Sequence, residues 1–155
     1  MKPEDWEIIN GQILPSAWYP YENGRRIGFA VFKEIAQSNL ETVRSFGRFS
    51  GKNFLEVYAN VLVKGDPGAS VEKLSVLNRT FSDGGSEISV IEKTPNSLTY
   101  KLIFPPEEKE DKFMEAYCFK LMGTIEEIVA QAGGNNIKTT HKRTEEGYEI
   151  FLKWE

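Results

Sequence analysis

The stretch that decides the fold is Cys118–Trp154, CFKLMGTIEEIVAQAGGNNIKTTHKRTEEGYEIFLKW. It opens as a helix. Cys118, Leu121, Met122, Ile125, Ile128 and Val129 recur at three- and four-residue spacing, and Met114 and Tyr117 extend this apolar stripe upstream. Gly133-Gly134-Asn135 is a stop, because glycine tolerates the left-handed conformation that closes a helix C-terminus. Beyond it the period falls to two. Ile137 to Lys142 and Tyr148 to Trp154 read as a hairpin, with Tyr148, Ile150, Leu152 and Trp154 alternating on one face.

Upstream lies a second hairpin, Glu87 to Lys93 and Leu98 to Phe104, around a Thr94-Pro95-Asn96-Ser97 turn. Leu98, Tyr100, Leu102 and Phe104 share a face. Pro105-Pro106 ends the hairpin, and the long helix is expected over Glu107 to Ala132. The N-terminal half is helical. Ile27, Val31, Phe32 and Ile35 mark one helix, from about Asn23 to Ser38. Phe54, Val57, Tyr58, Val61 and Leu62 mark a second, from about Leu40 to Val63, in which Gly47 and Gly51 suggest a close helix contact or a break. After the Lys64–Gly68 turn, Ser70 is read as the cap of a third, with Leu74, Leu77 and Phe81 facing inward. Trp6 to Leu14 reads as a short strand or extended arm, and Pro15 and Pro20 keep the Ser-Ala-Trp-Tyr between them out of helix. Helices followed by antiparallel hairpins predict an α+β fold rather than a parallel doubly wound sheet. The expected architecture is a layer of about four helices on a twisted antiparallel sheet of four to five strands, forming one domain over 1–155.

Composition narrows the function classes. The 155 residues carry a formal net charge of −4, so the basic footprint of a nucleic-acid binder is missing. No window offers the ~18 apolar residues of a spanning helix, and the N-terminus lacks the apolar core of a signal peptide. A soluble cytoplasmic protein without membrane insertion is expected. One cysteine excludes an internal disulfide, and one histidine excludes the multi-histidine metal sites. No glycine pattern matches a dinucleotide or phosphate loop.

Few side chains suggest chemistry. Cys118 sits in the apolar stripe, where a thiol is inert, and pairing with distant His141 is a weak route to a nucleophile. Glu126 and Glu127 diverge by ~100° on a helix and read as surface charges. Glu107 and Glu108 read as a helix start, and Arg25, Arg26, Arg44 and Arg48, too few for a nucleic-acid stripe, as solvated helix cations or else the site of one anion. The aromatic set is richer: Trp18, Tyr19 and Tyr21 near the prolines, then Phe29, Phe32, Phe46, Phe49, Phe54 and Tyr58. Such residues serve core packing, an apolar ligand pocket, or a helix face for dimerisation.

Ile13-Leu14-Pro15-Ser16-Ala17-Trp18-Tyr19-Pro20, Ser45-Phe46-Gly47-Arg48 and Lys64-Gly65-Asp66-Pro67 together resemble an uncharacterised bacterial family known as many paralogues in myxobacteria. Cys118–Trp154, with Gly123, the Gly133-Gly134 stop and the closing hairpin, resembles a wider superfamily. Its members are the haem nitric-oxide-binding (H-NOX) domain, the 4-vinyl reductase type of ligand-binding domain and the TRAPP trafficking subunits. The resemblance implies helices on a twisted antiparallel sheet, with an apolar pocket between the layers in several branches. It also marks departures. The H-NOX histidine on a middle helix and the Tyr-x-Ser-x-Arg motif are absent, so haem by that route is not expected. Against the 4-vinyl reductase pattern, Phe151 aligns with the Phe of a Cys-x-Phe ending. That puts Glu149 and His141 where zinc-binding cysteines stand, with Cys118 within approach, but no clear fourth ligand exists and no metal site is expected.

The expected function is a non-enzymatic sensing or scaffolding module that binds a small apolar ligand or a protein partner. The alternative is a structural homodimer, joined through its N-terminal helices, with a filled core and no ligand. No catalytic residue and no cofactor is expected. The ligand is expected against Met114, Tyr117, Cys118 and Leu121 of the long helix, opposite Phe54 and Tyr58, with Tyr100 and Leu102 from the sheet.

Overall fold

The structure, a computed structural model, describes residues 1–12, 19–81 and 85–155. Five α-helices and four strands follow in order: α1 Pro3–Asn10, α2 Tyr21–Ala30, α3 Leu40–Val57, α4 Pro67–Phe81, β1 Glu87–Thr94, β2 Ser97–Ile103, α5 Asp111–Gln131, β3 Lys138–Arg143 and β4 Gly147–Lys153. α2 runs on into a π-helical turn, Val31–Ile35, and α3 is followed by a 3₁₀ turn, Ala59–Val61. The strands form one antiparallel sheet in the order β1-β2-β4-β3. The two hairpins therefore meet along β2 and β4, and α5 makes the connection between them.

Alternation places the core. Leu98, Tyr100 and Leu102 of β2 are buried on one face, level with Leu152, Ile150 and Tyr148 of β4, respectively. α5 lies over them with Met114, Cys118, Leu121, Met122, Ile125, Ile128 and Val129 buried. Val71 and Leu74 of α4 complete the cluster. Phe81 and Trp18 carry expectations whose side chains lie outside the described residues, as do Ile13 to Trp18 of the resemblance.

The close helix contact at Gly47 and Gly51 is present, and its partner is Gly123. A Cβ on Gly47 would lie 2.0 Å from the Lys120 carbonyl oxygen, and one on Gly123 would lie 1.9 Å from that of Arg44. α3 and α5 thus cross backbone to backbone, which only residues without side chains permit. Thr124 Oγ1 donates to the Gly47 carbonyl at 3.0 Å across the crossing.

Several local expectations are corrected. Trp6 to Leu14 is not a strand over its described part. Pro3–Asn10 is helical, because Pro3 opens it and the Asp5 carboxylate accepts from the Lys2 N–H at 2.7 Å. The cap of α4 is Asp66, whose Oδ1 accepts from Ala69 N at 2.9 Å. Ser70 lies inside the helix and instead accepts from Val63 N. α5 begins at Asp111, not Glu107.

The charges read as solvated are the largest correction. Each of four arginines holds a buried carboxylate. Arg26 forks onto Asp5, with Asn23 donating to the same group. Arg25 forks onto Glu108. Arg44 and Arg48 both reach Glu126, which is only 4% exposed and also accepts from Thr139 Oγ1 at 2.5 Å. Sequence spacing gives no sign of these pairs, because the partners lie 21, 83, 82 and 78 residues apart. Hydrogen bonding from Arg26 holds the Asp5 carboxyl well below the usual carboxylate range. At Glu126 burial acts to raise the pKa, but the bonds from Arg44, Thr139 and Arg48 outweigh it and lower it.

Candidate functional site

A cavity of about 590 Å³ opens between α2, α3 and the N-terminal half of α5. Its volume falls within the range of small-molecule sites, ~300–1,000 Å³. α2 contributes Tyr21, Gly24, Arg25, Ile27 and Gly28; the π-turn adds Val31 and Phe32. α3 contributes Val43, Phe46, Phe49 and Ser50, and α5 contributes Phe113, Ala116, Tyr117 and Lys120. Tyr19, Pro20 and Ser86 complete the wall.

Two local features make room. Gly24 and Gly28 are one helical turn apart, and a Cβ at either would meet nothing within 4 Å. α2 therefore presents a bare backbone groove to the cavity. The π-turn then alters the course of the chain, and Gln37 and Ser38 take left-handed conformations (φ 51° and 60°) to enter α3. π-turns and left-handed non-glycine residues are uncommon and concentrate at functional sites.

The walls are aromatic and stiff. Phe113 meets Phe29 edge-on at 6.4 Å, Phe104 at 6.3 Å and Tyr117 at 6.0 Å between ring centroids. The Arg25 guanidinium lies 5.1 Å from the Phe113 ring centroid while paired to Glu108. Tyr117 is hydrogen-bonded to Ser86. Tyr21 differs: its hydroxyl is buried and has no hydrogen-bond partner among the described residues. Burial pushes the Tyr21 phenol up to about 12.

The eight residues expected around a ligand do come together, in one apolar cluster. Within it Tyr100, Leu102, Met114, Cys118 and Leu121 are buried, and Phe54, Tyr58 and Tyr117 pack against them. Tyr117 alone of the eight lines the cavity, which lies on the other flank of α5. Phe32, Phe46, Phe49, Tyr19 and Tyr21 of the aromatic set line it as well. The sequence signal for this flank was the glycine pair on α2, which removes side chains from one stripe of an otherwise aromatic segment.

Cys118 has no exposed surface, its Sγ lies 4.0 Å from Met122 Sδ, and burial pushes its thiol up to about 12. It is neither a nucleophile nor a cavity residue. Replacing Cys118 by Trp is therefore expected to overpack the core and to cost ~1–3 kcal/mol or more. Urea denaturation measures this, and an unchanged midpoint would contradict a filled core at this position.

The zinc candidates do not converge. His141 stands opposite Ile150, and Glu149 stands opposite Lys142. Ile150 and Glu149 are successive residues of β4, so His141 and Glu149 take opposite faces of the sheet. The His141 ring packs edge-on against Phe119 at 5.1 Å. Among the described residues no group of three His, Cys, Asp or Glu side chains is placed to hold a metal ion.

Haem is tested by the donor chemistry of the cavity. Axial ligands are His, Cys, Met or a tyrosinate. Among the described residues the lining has no His, Cys or Met. Its buried phenols, Tyr21 and Tyr117, are both raised in pKa by burial, which disfavours the phenolate that iron requires. The residues present do not fit haem. The purified protein is expected to show no Soret band and no stoichiometric zinc by elemental analysis; either signal at one per chain would contradict the donor-set argument.

No family model and no curated protein matches the chain. Among solved structures it is similar to an Fe(II) H-NOX protein from S. oneidensis, at 11% identity, TM-score 0.64, and coverage of 98% of this chain and 86% of that one. An unliganded Fe(II) H-NOX protein from K. algicida gives 15%, 0.61, 97% and 85%. An oxygen-binding H-NOX domain related to soluble guanylate cyclases gives 14%, 0.61, 97% and 84%. At these identities the likeness is one of fold: α+β, five helices on a four-stranded antiparallel sheet, in the H-NOX-like arrangement.

Proposed function

We propose that this protein is a non-enzymatic ligand-binding module of the sensing kind, and that its ligand is a small, largely apolar molecule held between α2, α3 and α5. The observation that carries the reading is the aromatic cavity of about 590 Å³, walled by Phe113, Tyr117, Phe32 and Tyr21. One solved structure it resembles concerns haem distortion in the H-NOX family, and another is an oxygen-binding H-NOX domain. The shared fold supports a ligand-binding role, while the donor set points away from haem. Among the described residues the cavity has no assembled nucleophile, acid–base pair or metal cluster, which favours binding over turnover. Native mass spectrometry of protein isolated from its own cells tests this. The expected spectrum has a non-covalent adduct of one small organic molecule per chain, lost on collisional activation. A bare chain mass under gentle conditions would count against the reading.

A second reading is self-association through the N-terminal helices. Ile35 and Phe49 are 64% and 66% exposed, and Trp6 is 53% exposed. Sedimentation is expected to give a dimer at tens of micromolar, in the range suited to a standard interface. A monomer there would contradict it. Among the described residues no helix is long and apolar enough to cross a membrane.

A further inference from the structure

We infer that the ligand of this cavity is an organic anion, with a flat apolar body against the aromatic walls and a carboxylate-class head on Lys120. The inference rests on the cavity reading above and deepens it. The charge balance of the lining carries it. Among the described residues two cations, Arg25 and Lys120, line the cavity, and no Asp or Glu does. Arg25 is already neutralised, since its guanidinium forks onto Glu108. The other buried carboxylates among the described residues, Asp5 and Glu126, are held by Arg26, Arg44 and Arg48.

Lys120 differs from all of these. Among the described residues no ion pair or hydrogen bond engages its Nζ. Its side chain remains accessible to solvent, and it lines the cavity. Protein around the ammonium nevertheless lowers its pKa, with no neighbouring charge contributing. An apolar ligand without charge would strip water from this ammonium and offer nothing in return, which costs free energy. An anion would replace that water with a charge-assisted hydrogen bond, of the stronger class. Tyr21 borders the cavity as well, but its hydroxyl has no accessible surface, so Lys120 carries the assignment.

A matched probe pair tests this: 1-anilinonaphthalene-8-sulfonate, which is anionic, and N-phenyl-1-naphthylamine, the same skeleton without the charge. Fluorescence titration is run on the full chain and on Lys120→Met and Lys120→Arg. The full chain is expected to bind both probes at one per chain, with the anion at least about tenfold tighter, a difference of ~1.4 kcal/mol. Lys120→Met should remove that preference, weakening the anion about tenfold and leaving the neutral probe within about twofold; Lys120→Arg should keep it. If Lys120→Met fails to fold, Lys120→Gln takes its place. Binding of the neutral probe with no preference for the anion, or an equal loss of both in Lys120→Met, overturns the anion assignment and leaves the cavity reading standing. Failure of both probes on the full chain overturns both.

Discussion

Gly123→Ala is expected to be among the most damaging single substitutions in this chain. The added methyl would sit 1.9 Å from the Arg44 carbonyl oxygen and 3.0 Å from the Arg48 amide nitrogen. Both are backbone atoms, so no side-chain rotation relieves the clash. α3 and α5 must move apart, and that separation opens the contact on which both the Glu126 network and one wall of the cavity depend. Overpacking usually costs ~1–3 kcal/mol, and a backbone clash at a helix crossing belongs to the high end or above it. A loss of about 3 kcal/mol or more would lower the melting temperature by ~6–12 °C for a chain of this size. Gly28→Ala is the control. Its Cβ meets nothing within 4 Å, and exchanging glycine for alanine inside a helix gains ~1 kcal/mol. Calorimetry on the two variants separates the cases. A Gly123→Ala protein that melts within a degree or two of the parent would contradict the crossing.

Glu126→Ala is the second large effect. The carboxylate is buried and takes hydrogen bonds from Arg44, Arg48 and Thr139. Removing it leaves the Arg44 guanidinium, itself mostly buried, without its main counter-charge. Breaking a buried pair from one side costs ~3–5 kcal/mol, because the remaining charge stays desolvated. Arg48 is half exposed and can turn to water, so Arg48→Ala should cost less. The pH dependence has a definite sign. The pKa of Glu126 is lower in the folded state than its ordinary value of 4.5, so its stabilisation is complete above that value. It is lost as the pH falls below it. Denaturant midpoints between pH 7 and pH 3 should therefore fall less steeply in Glu126→Ala than in the parent. Some slope remains, because Asp5 and Glu108 are also shifted downward by their arginines. Identical slopes would contradict the assigned role of Glu126.

The β-hairpins and α5 were legible because their side chains repeat. Every residue of the alternating sets Leu98 to Phe104 and Tyr148 to Trp154 is buried as the period demands. The Gly47 break was legible as a close approach, but its partner Gly123 was not, since nothing local links positions 76 residues apart. α1 was missed for a related reason. Its buried side chain is a carboxylate, Asp5, rather than an apolar stripe, and its arginine lies on α2. The same blindness turned Glu126 into a surface charge and Glu108 into part of a helix start. Of the eight residues expected around a ligand, those on α5 lie mainly on the flank that faces the sheet, and Tyr117 alone of the eight also lines the cavity. Helical spacing identifies an apolar face but does not say where packing stops. That depends on the bare stripe of Gly24 and Gly28 across the cavity, visible only once α2 is set against α5.

The central claim is that the space between α2, α3 and α5 is a binding cavity, and filling it is the most direct test. Gly28→Trp puts a large ring where a Cβ has open space around it. N-phenyl-1-naphthylamine is titrated into the parent and the variant, with the unfolding midpoint of each measured alongside. The parent is expected to bind one probe per chain, and Gly28→Trp to bind it at least about tenfold more weakly with a midpoint equal to or above that of the parent. A parent that does not bind the probe, or a stable Gly28→Trp protein that binds it as the parent does, would contradict it.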